Sequence, residues 1–135
     1  MDTLDRFVLA QRGIYGQALA ELRAGRKQGH WIWFVLPQLR GLGRSSTAHE
    51  YGIANRAEAQ SCLAHPLLGA RLRECVQTML AHADRPAVRI LGDVDSMKFR
   101  SCLTLFDAVS TDALFHQALE AFYGGERDAA TLALL

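Results

Sequence analysis

The chain has 135 residues, half of them apolar, so one continuous core can form without disulfides or metals and a second domain is not needed. Fifteen Lys and Arg balance fourteen Asp and Glu, and the formal charge of +1 excludes a field that would by itself draw nucleic acid or an anionic membrane. Cys62, Cys75 and Cys102 are odd in number, lie among apolar residues and lack paired metal or redox spacing, so reduced core thiols are expected.

Taken in chain order, the apolar pattern is helical. Leu4, Phe7, Val8, Gln11, Tyr15, Ala18, Leu19 and Leu22 predict a first helix over about residues 3–24, capped by Asp2 or Thr3 and closed by Gly25. Gly13 and Gly16 fall inside it, which calls for something packed closely against that turn. His30-Trp31-Ile32-Trp33-Phe34-Val35-Leu36 is too short and too uniformly apolar for periodicity to separate strand from helix, and a short buried helix is the reading taken here. A loop follows over Arg40 to Ser46, and Asn55 with Glu58 caps a short helix reaching about Leu63.

Leu68, Arg71, Leu72, Cys75, Val76, Met79 and Leu80 form an amphipathic stripe predicting a helix over about 66–82, with Pro66 in its first turn. After the apolar segment Ala87–Leu91 and Gly92, Asp93 or Asp95 caps a helix to about Val109 that turns Phe99, Cys102, Leu103 and Phe106 inward. Thr111 or Asp112 starts another helix, Gly124-Gly125 ends it, and Asp128 caps a last turn. The fold expected is all-α, a single domain over residues 1–135 with about six to eight short and medium helices. The start, Met1-Asp2-Thr3-Leu4-Asp5-Arg6, has no basic region before an apolar stretch, and Trp31–Leu36 is too short to span a bilayer, so a cytoplasmic protein is expected.

Motifs for the commoner chemistries are missing: no Walker loop, GxGxxG after a strand, HExxH, GxSxG or EF-hand loop occurs. The five histidines show no metal-ligand spacing, so neither a metal nor a cofactor is expected. Three polar groups remain. His30, Trp31 and Trp33 lead to Gln38 and Arg40, flat aromatic walls with hydrogen-bonding groups beside a Gly-rich loop, as in ligand pockets. Read as plain structure, the indoles fill a core and His30 bonds a backbone carbonyl. Asp95, Lys98 and Ser101 recur three apart near a helix start, where they could bind an anion and move a proton; as plain structure they are a cap, an ion pair and a back-bonded hydroxyl. Ser45, Ser46, His49, Glu50 and Tyr51 lie where the loop re-enters ordered structure, with Glu50 a candidate acid or base and a polar loop the ordinary alternative.

The strings HWxWF…PQ at His30–Gln38, HPxLGxRL at His65–Leu72, and DxxKxxSxxTLF from Asp95 through Lys98, Ser101 and Thr104-Leu105-Phe106 resemble a bacterial family called domain of unknown function 1810. The likeness also takes in Leu42-Gly43-Arg44-Ser45, Tyr51-Gly52-Ile53 and Gly125 with Asp128, Thr131 and Leu132, and so covers nearly the whole chain. Leu36 and Cys102 depart from the expected Phe and Ser. The resemblance implies a mainly helical fold and no established activity. Members sometimes carry the label calpastatin, but that inhibitor is disordered and highly charged, whereas this chain is patterned for a core. The order of elements is fainter in its similarity to the NADAR family, helical proteins linked to NAD and ADP-ribose metabolism.

Two functional readings follow. In the first, the protein hydrolyses an N-glycosidic bond in a nucleotide-ribose compound: Trp31 or Trp33 stacks the base, Asp95 or Glu50 is the acid/base or stabilises oxocarbenium charge, and Lys98 with Arg44 holds phosphate. In the second, the same pocket binds a nucleotide, peptide or protein without catalysis. Both require His30, Trp33, Gln38, Ser45, Tyr51, Asp95 and Lys98 to converge, with Trp31, Arg44, Glu50 and Ser101 nearby.

Overall fold

From Leu4 to Leu135, the residues described by the computed structural model, the chain forms ten helices and no strand. The all-α expectation holds, with more and shorter helices than the apolar pattern predicted. The expected caps Asp2 and Thr3 lie outside the described residues.

The predicted first helix is two, α1 (Asp5–Gln11) and α2 (Tyr15–Arg23). Gly13 takes a left-handed φ of +79° between them, a conformation that costs other residues far more than glycine. The close packing expected at Gly13 and Gly16 is absent: a methyl group at either would meet nothing within 4 Å. The two glycines therefore do not mark a helix–helix contact, and the helical stripe on either side of the break had concealed a turn.

Next, α3 (Ile32–Val35) is the short helix expected of the tryptophan-rich run, packed against α1. Pro37 ends it, and Leu39 then forms an isolated parallel bridge with Ile53, made by Arg40 N–H to Ile53 O (2.8 Å) and Ile53 N–H to Gln38 O (2.9 Å). This bridge closes a loop that contains α4 (Ser46–Tyr51), capped by Ser45, whose side chain accepts from Ala48 N–H at 3.0 Å.

In α5 (Arg56–Ala64), Asn55 is the cap predicted, accepting from Glu58 N–H at 2.9 Å. The helix predicted over 66–82 is α6 (Leu68–Leu80), and its first donors are met by His65 Nδ1, 3.1 Å from Leu67 N and 3.2 Å from Leu68 N. Helix α7 (Ala87–Leu91) leads through Gly92 into α8 (Asp93–Ala108), where no side chain caps the start, contrary to the role expected of Asp93 or Asp95. Asp112 and Asp128 do cap α9 (Ala113–Tyr123) and α10 (Ala129–Leu134), and Gly124 ends α9 in the left-handed conformation.

The central element is α8, which packs along α9 and also against α5, α7 and α10. Every residue from Ser101 to Phe106 is buried, so this stretch of the helix has no solvent face. The two hydroxyls caught there donate within the helix, Ser101 Oγ to Met97 O (3.2 Å) and Thr104 Oγ1 to Arg100 O (2.8 Å), which removes the cost of burying them. Phe7, Leu19, Leu72, Cys75, Phe99, Cys102, Leu103 and Phe106 are buried as their stripes predicted, whereas Phe34 and Phe122 sit half-buried at the edge of the core. Cys62, Cys75 and Cys102 are free thiols. No helix among the described residues is long and apolar enough to cross a membrane.

Candidate functional site

Where α8 and α10 meet the loop after α3, a cavity of about 300 Å³ remains. Its wall is largely apolar, from Leu42, Val94, Met97 and Ala130, with Gln38, Lys98, Ser101 and Asp128 as the polar members. Two larger surface depressions, of about 460 and 490 Å³, are shallower.

Each wall residue is placed by a different local device. Val94, Met97, Lys98 and Ser101 are spaced i, i+3, i+4, i+7, one face of a helix. The Leu39–Ile53 bridge fixes the backbone at Gln38. A methyl group at Gly43 would lie 2.5 Å from Ala48 Cβ and 3.5 Å from Gln38 Nε2, so only glycine lets the loop lie this close to α4. Asp128 N–H donates to Thr104 Oγ1 (3.0 Å), which docks the start of α10 on α8. The Asp128 carboxylate accepts from Thr131 N–H (3.0 Å) and from the Thr131 hydroxyl, and lies 3.8 Å from Arg100.

Asp95 does not share the face of Lys98 and Ser101. Three residues along a helix turn about 300°, so two steps of three drift by roughly 120°. That rotation puts Asp95 beside Lys27, with Lys27 Nζ 2.7 Å from Asp95 Oδ2 and the Lys27 side chain only 6% exposed. Lys27 Nζ also donates to Gly29 O and lies 4.8 Å from the centre of the Trp31 ring. Trp31 is fully buried, and its indole N–H donates to Glu21 at 3.0 Å. The same Glu21 oxygen accepts from Gln28 N–H (2.7 Å) and Gly29 N–H (2.8 Å). Burial works to raise the Glu21 pKa, but these bonds, with those from Trp31 and Gln17, outweigh it and bring it from 4.5 down to about 2.

Lys98 makes the same stack on the other tryptophan, its ammonium 4.7 Å from the centre of the Trp33 ring. Here no carboxylate of the described residues pairs with the lysine, and the Trp33 indole N–H is buried without an acceptor among them. An unmatched buried donor costs roughly 1–3 kcal/mol, so Lys98 and Trp33 form a polar pair left open. Arg100 Nε is likewise buried without a partner among the described residues.

The remaining sequence-predicted residues lie elsewhere in the fold. His30 is exposed just before α3, and Arg44 is exposed in the loop. Ser45 is the cap of α4, and Tyr51 packs its ring on Phe34 (5.3 Å between centres) and Phe7 (6.1 Å). Glu50 is exposed, and its backbone carbonyl accepts from Arg6 Nε at 2.9 Å. Of the predicted set the cavity collects Gln38, Lys98 and Ser101, with Trp33 against Lys98. Sequence reasoning did not assign Leu42, Gly43, Val94, Met97, Asp128 and Ala130 to a site. The i, i+3, i+4, i+7 spacing of Val94 with Lys98 and Ser101 was the one available signal. Nor do the cysteines supply a nucleophile: burial pushes Cys62 and Cys75 up to about 12 and Cys102 well above its ordinary value. Among the described residues no group of His, Cys, Asp and Glu has the arrangement of a metal site.

The whole chain, residues 1–135, matches the profile of a family described as "Protein of unknown function (DUF1810)". The fold is also that of the crystal structure of the conserved hypothetical protein Rv1873 from Mycobacterium tuberculosis. The two are 47% identical, with a TM-score of 0.96 over 98% of this chain and 95% of that one. Among curated proteins no relative matches.

Proposed function

The chain belongs to the DUF1810 family, whose function is unknown, and from the geometry of its cavity we propose that it is a small-molecule binding domain and not an N-glycosyl hydrolase. The observation that carries this reading is a largely apolar cavity whose polar wall groups are one lysine, one carboxamide, one hydroxyl and the carboxylate of Asp128, the last already bonded as the cap of α10. Binding sites of this kind take most of their affinity from apolar contact and use a few polar groups to orient the ligand. At about 300 Å³ the space suits a molecule the size of a single ring with a substituent, smaller than a dinucleotide.

Glycoside hydrolysis requires a carboxyl group within reach of the scissile bond. Asp95 is engaged by Lys27, and Glu50 lies exposed outside the cavity wall. Asp128, the carboxylate that does line it, is bonded by Thr131 as the cap of α10. These engagements support binding over turnover, and the nucleotide-ribose ligand keeps only the stacking and cationic groups in its favour.

The test is a thermal-shift screen of the purified chain against small metabolites, including nucleotide-ribose compounds, with each hit followed by chromatography for products. A ligand present at 100 times its Kd stabilises the folded state by about 2.7 kcal/mol, enough to raise Tm by several degrees. Stabilisation without product is the expected result. Release of a free base from NAD or ADP-ribose, abolished by Asp128→Asn or Asp95→Asn in a folded variant, would overturn it.

A further inference from the structure

We infer that the cavity selects a small carboxylate with an apolar body, its carboxylate seated on the Lys98 ammonium. This rests on the cavity being a binding site, and it adds the chemical class of the ligand.

The two lysine–tryptophan stacks supply the argument. In the first, Lys27 over Trp31 is completed by Asp95 at 2.7 Å, and Glu21 takes the indole N–H. Carboxylates thus serve both members of that pair. In the second, Lys98 lies over Trp33 at almost the same distance, 4.7 Å, and no carboxylate of the described residues completes it. Stacking holds the ammonium in place before any ligand arrives, which lowers the ordering cost of binding. Lys98 is also the wall residue from which a cation can face the cavity: Arg100 directs its guanidinium to Glu126 (3.5 Å) and Asp128 (3.8 Å).

The rest of the wall distinguishes between anions. Phosphate is typically held by several donors, often the fork of an arginine, whereas this wall offers one point charge. Asp128 adds a negative charge to the wall, which repels a phosphate dianion more than a singly charged carboxylate. The Ser101 proton is already given to Met97 O, while the Gln38 carboxamide makes no side-chain hydrogen bond to the described residues and is available to donate to a second carboxylate oxygen. Leu42, Val94, Met97 and Ala130 leave an apolar surround for the body of the ligand.

Phenylacetate is a suitable probe, with phenylacetamide as its neutral counterpart and adenosine monophosphate as the phosphate. Titrations of the full chain are followed by the two indole N–H signals in NMR, where Trp31 is the internal control. The expected result is a saturable shift of the Trp33 signal with phenylacetate while the Trp31 signal stays still. Affinity should fall about tenfold or more with phenylacetamide and in Lys98→Met, and be largely kept in Lys98→Arg. Equal binding of the amide, or tighter binding of the nucleotide, would overturn the carboxylate assignment. So would a Trp33 signal unmoved by phenylacetate. In any of these cases a hit from the metabolite screen that maps to the cavity would leave the binding-domain reading standing, and no hit at all would remove both.

Discussion

The molecule contains two copies of one small device, a lysine ammonium stacked on a tryptophan, and they differ in what completes them. Lys27 and Trp31 are buried, and Asp95 and Glu21 occupy both the charge and the indole N–H. Lys98, in the cavity wall, and Trp33, on which it stacks, are half-buried, and neither polar end has a partner among the described residues. A buried charge with its counter-ion is a structural joint whose loss is expensive, whereas a charge left unmatched beside a cavity costs the fold little and can serve a ligand. The difference lies in what each meets from α8: Asp95 pairs with Lys27, whereas Lys98, offset by about 60° around the helix, stacks on Trp33.

The largest difference between the two devices is expected in stability. Trp31→Ala removes a fully buried ring and strands Glu21 without its indole donor, and should cost about 3–5 kcal/mol in urea denaturation. Trp33→Ala, at the edge of the core, should cost less than half as much. Equal losses would mean that the second tryptophan is as deeply integrated as the first.

Next comes the ion pair. Asp95→Ala leaves the Lys27 ammonium buried with only the Gly29 carbonyl and an aromatic face, and should destabilise by about 3 kcal/mol or more. A catalytic aspartate in an open pocket would behave differently, losing activity while the fold held. An Asp95→Ala protein as stable as the parent would therefore return Asp95 to the list of candidate catalytic groups.

A pH titration sharpens the same contrast. The Glu21 pKa is about 2 in the folded chain against an ordinary 4.5, so the unfolded chain takes up a proton at higher pH than the folded one. The stability this contributes is fully present above about 4.5 and is lost as pH falls from there towards about 2. In Glu21→Gln that part of the acid limb should flatten, measured as Tm or urea midpoint against pH. An unchanged acid limb would show that the bonds converging on Glu21 do not control its protonation.

Much of the fold was legible in the sequence, because it rests on local patterns. The stripe from Leu68 to Leu80, the inward Phe99, Cys102, Leu103 and Phe106, and the caps Asn55, Asp112 and Asp128 all act within a few residues of themselves. The break at Gly13 was missed because apolar spacing continues across it, and only the positive φ reveals the turn. The site was less legible. Lys98, Ser101 and Gln38 stood out as polar residues among apolar ones, but the wall is completed by Asp128 and Ala130, about thirty residues further on. They reach it through the bond from Asp128 N–H to Thr104 Oγ1, a contact that no spacing announces. The partner of Asp95, Lys27, lies more than twice as far away in the other direction, so the sequence offered the nearby Lys98 instead.

The smallest expected effect belongs to Lys98. Lys98→Met keeps a long apolar stem against Trp33 and removes the ammonium, so the fold loses one partly exposed cation–π contact of roughly 0.5–1 kcal/mol. The methionine thioether regains part of that by packing on the same ring. The net change in unfolding free energy should fall within about 0.5 kcal/mol, near the resolution of a urea titration. No carboxylate is stranded by the substitution, since none of the described residues pairs with Lys98. A loss of 2 kcal/mol or more, on the order of that for a broken buried pair, would mean that Lys98 has a structural partner and that the second device is closed like the first. A neutral substitution that abolishes ligand-induced stabilisation would instead separate function from fold at this residue, since only the ligand would register the missing charge.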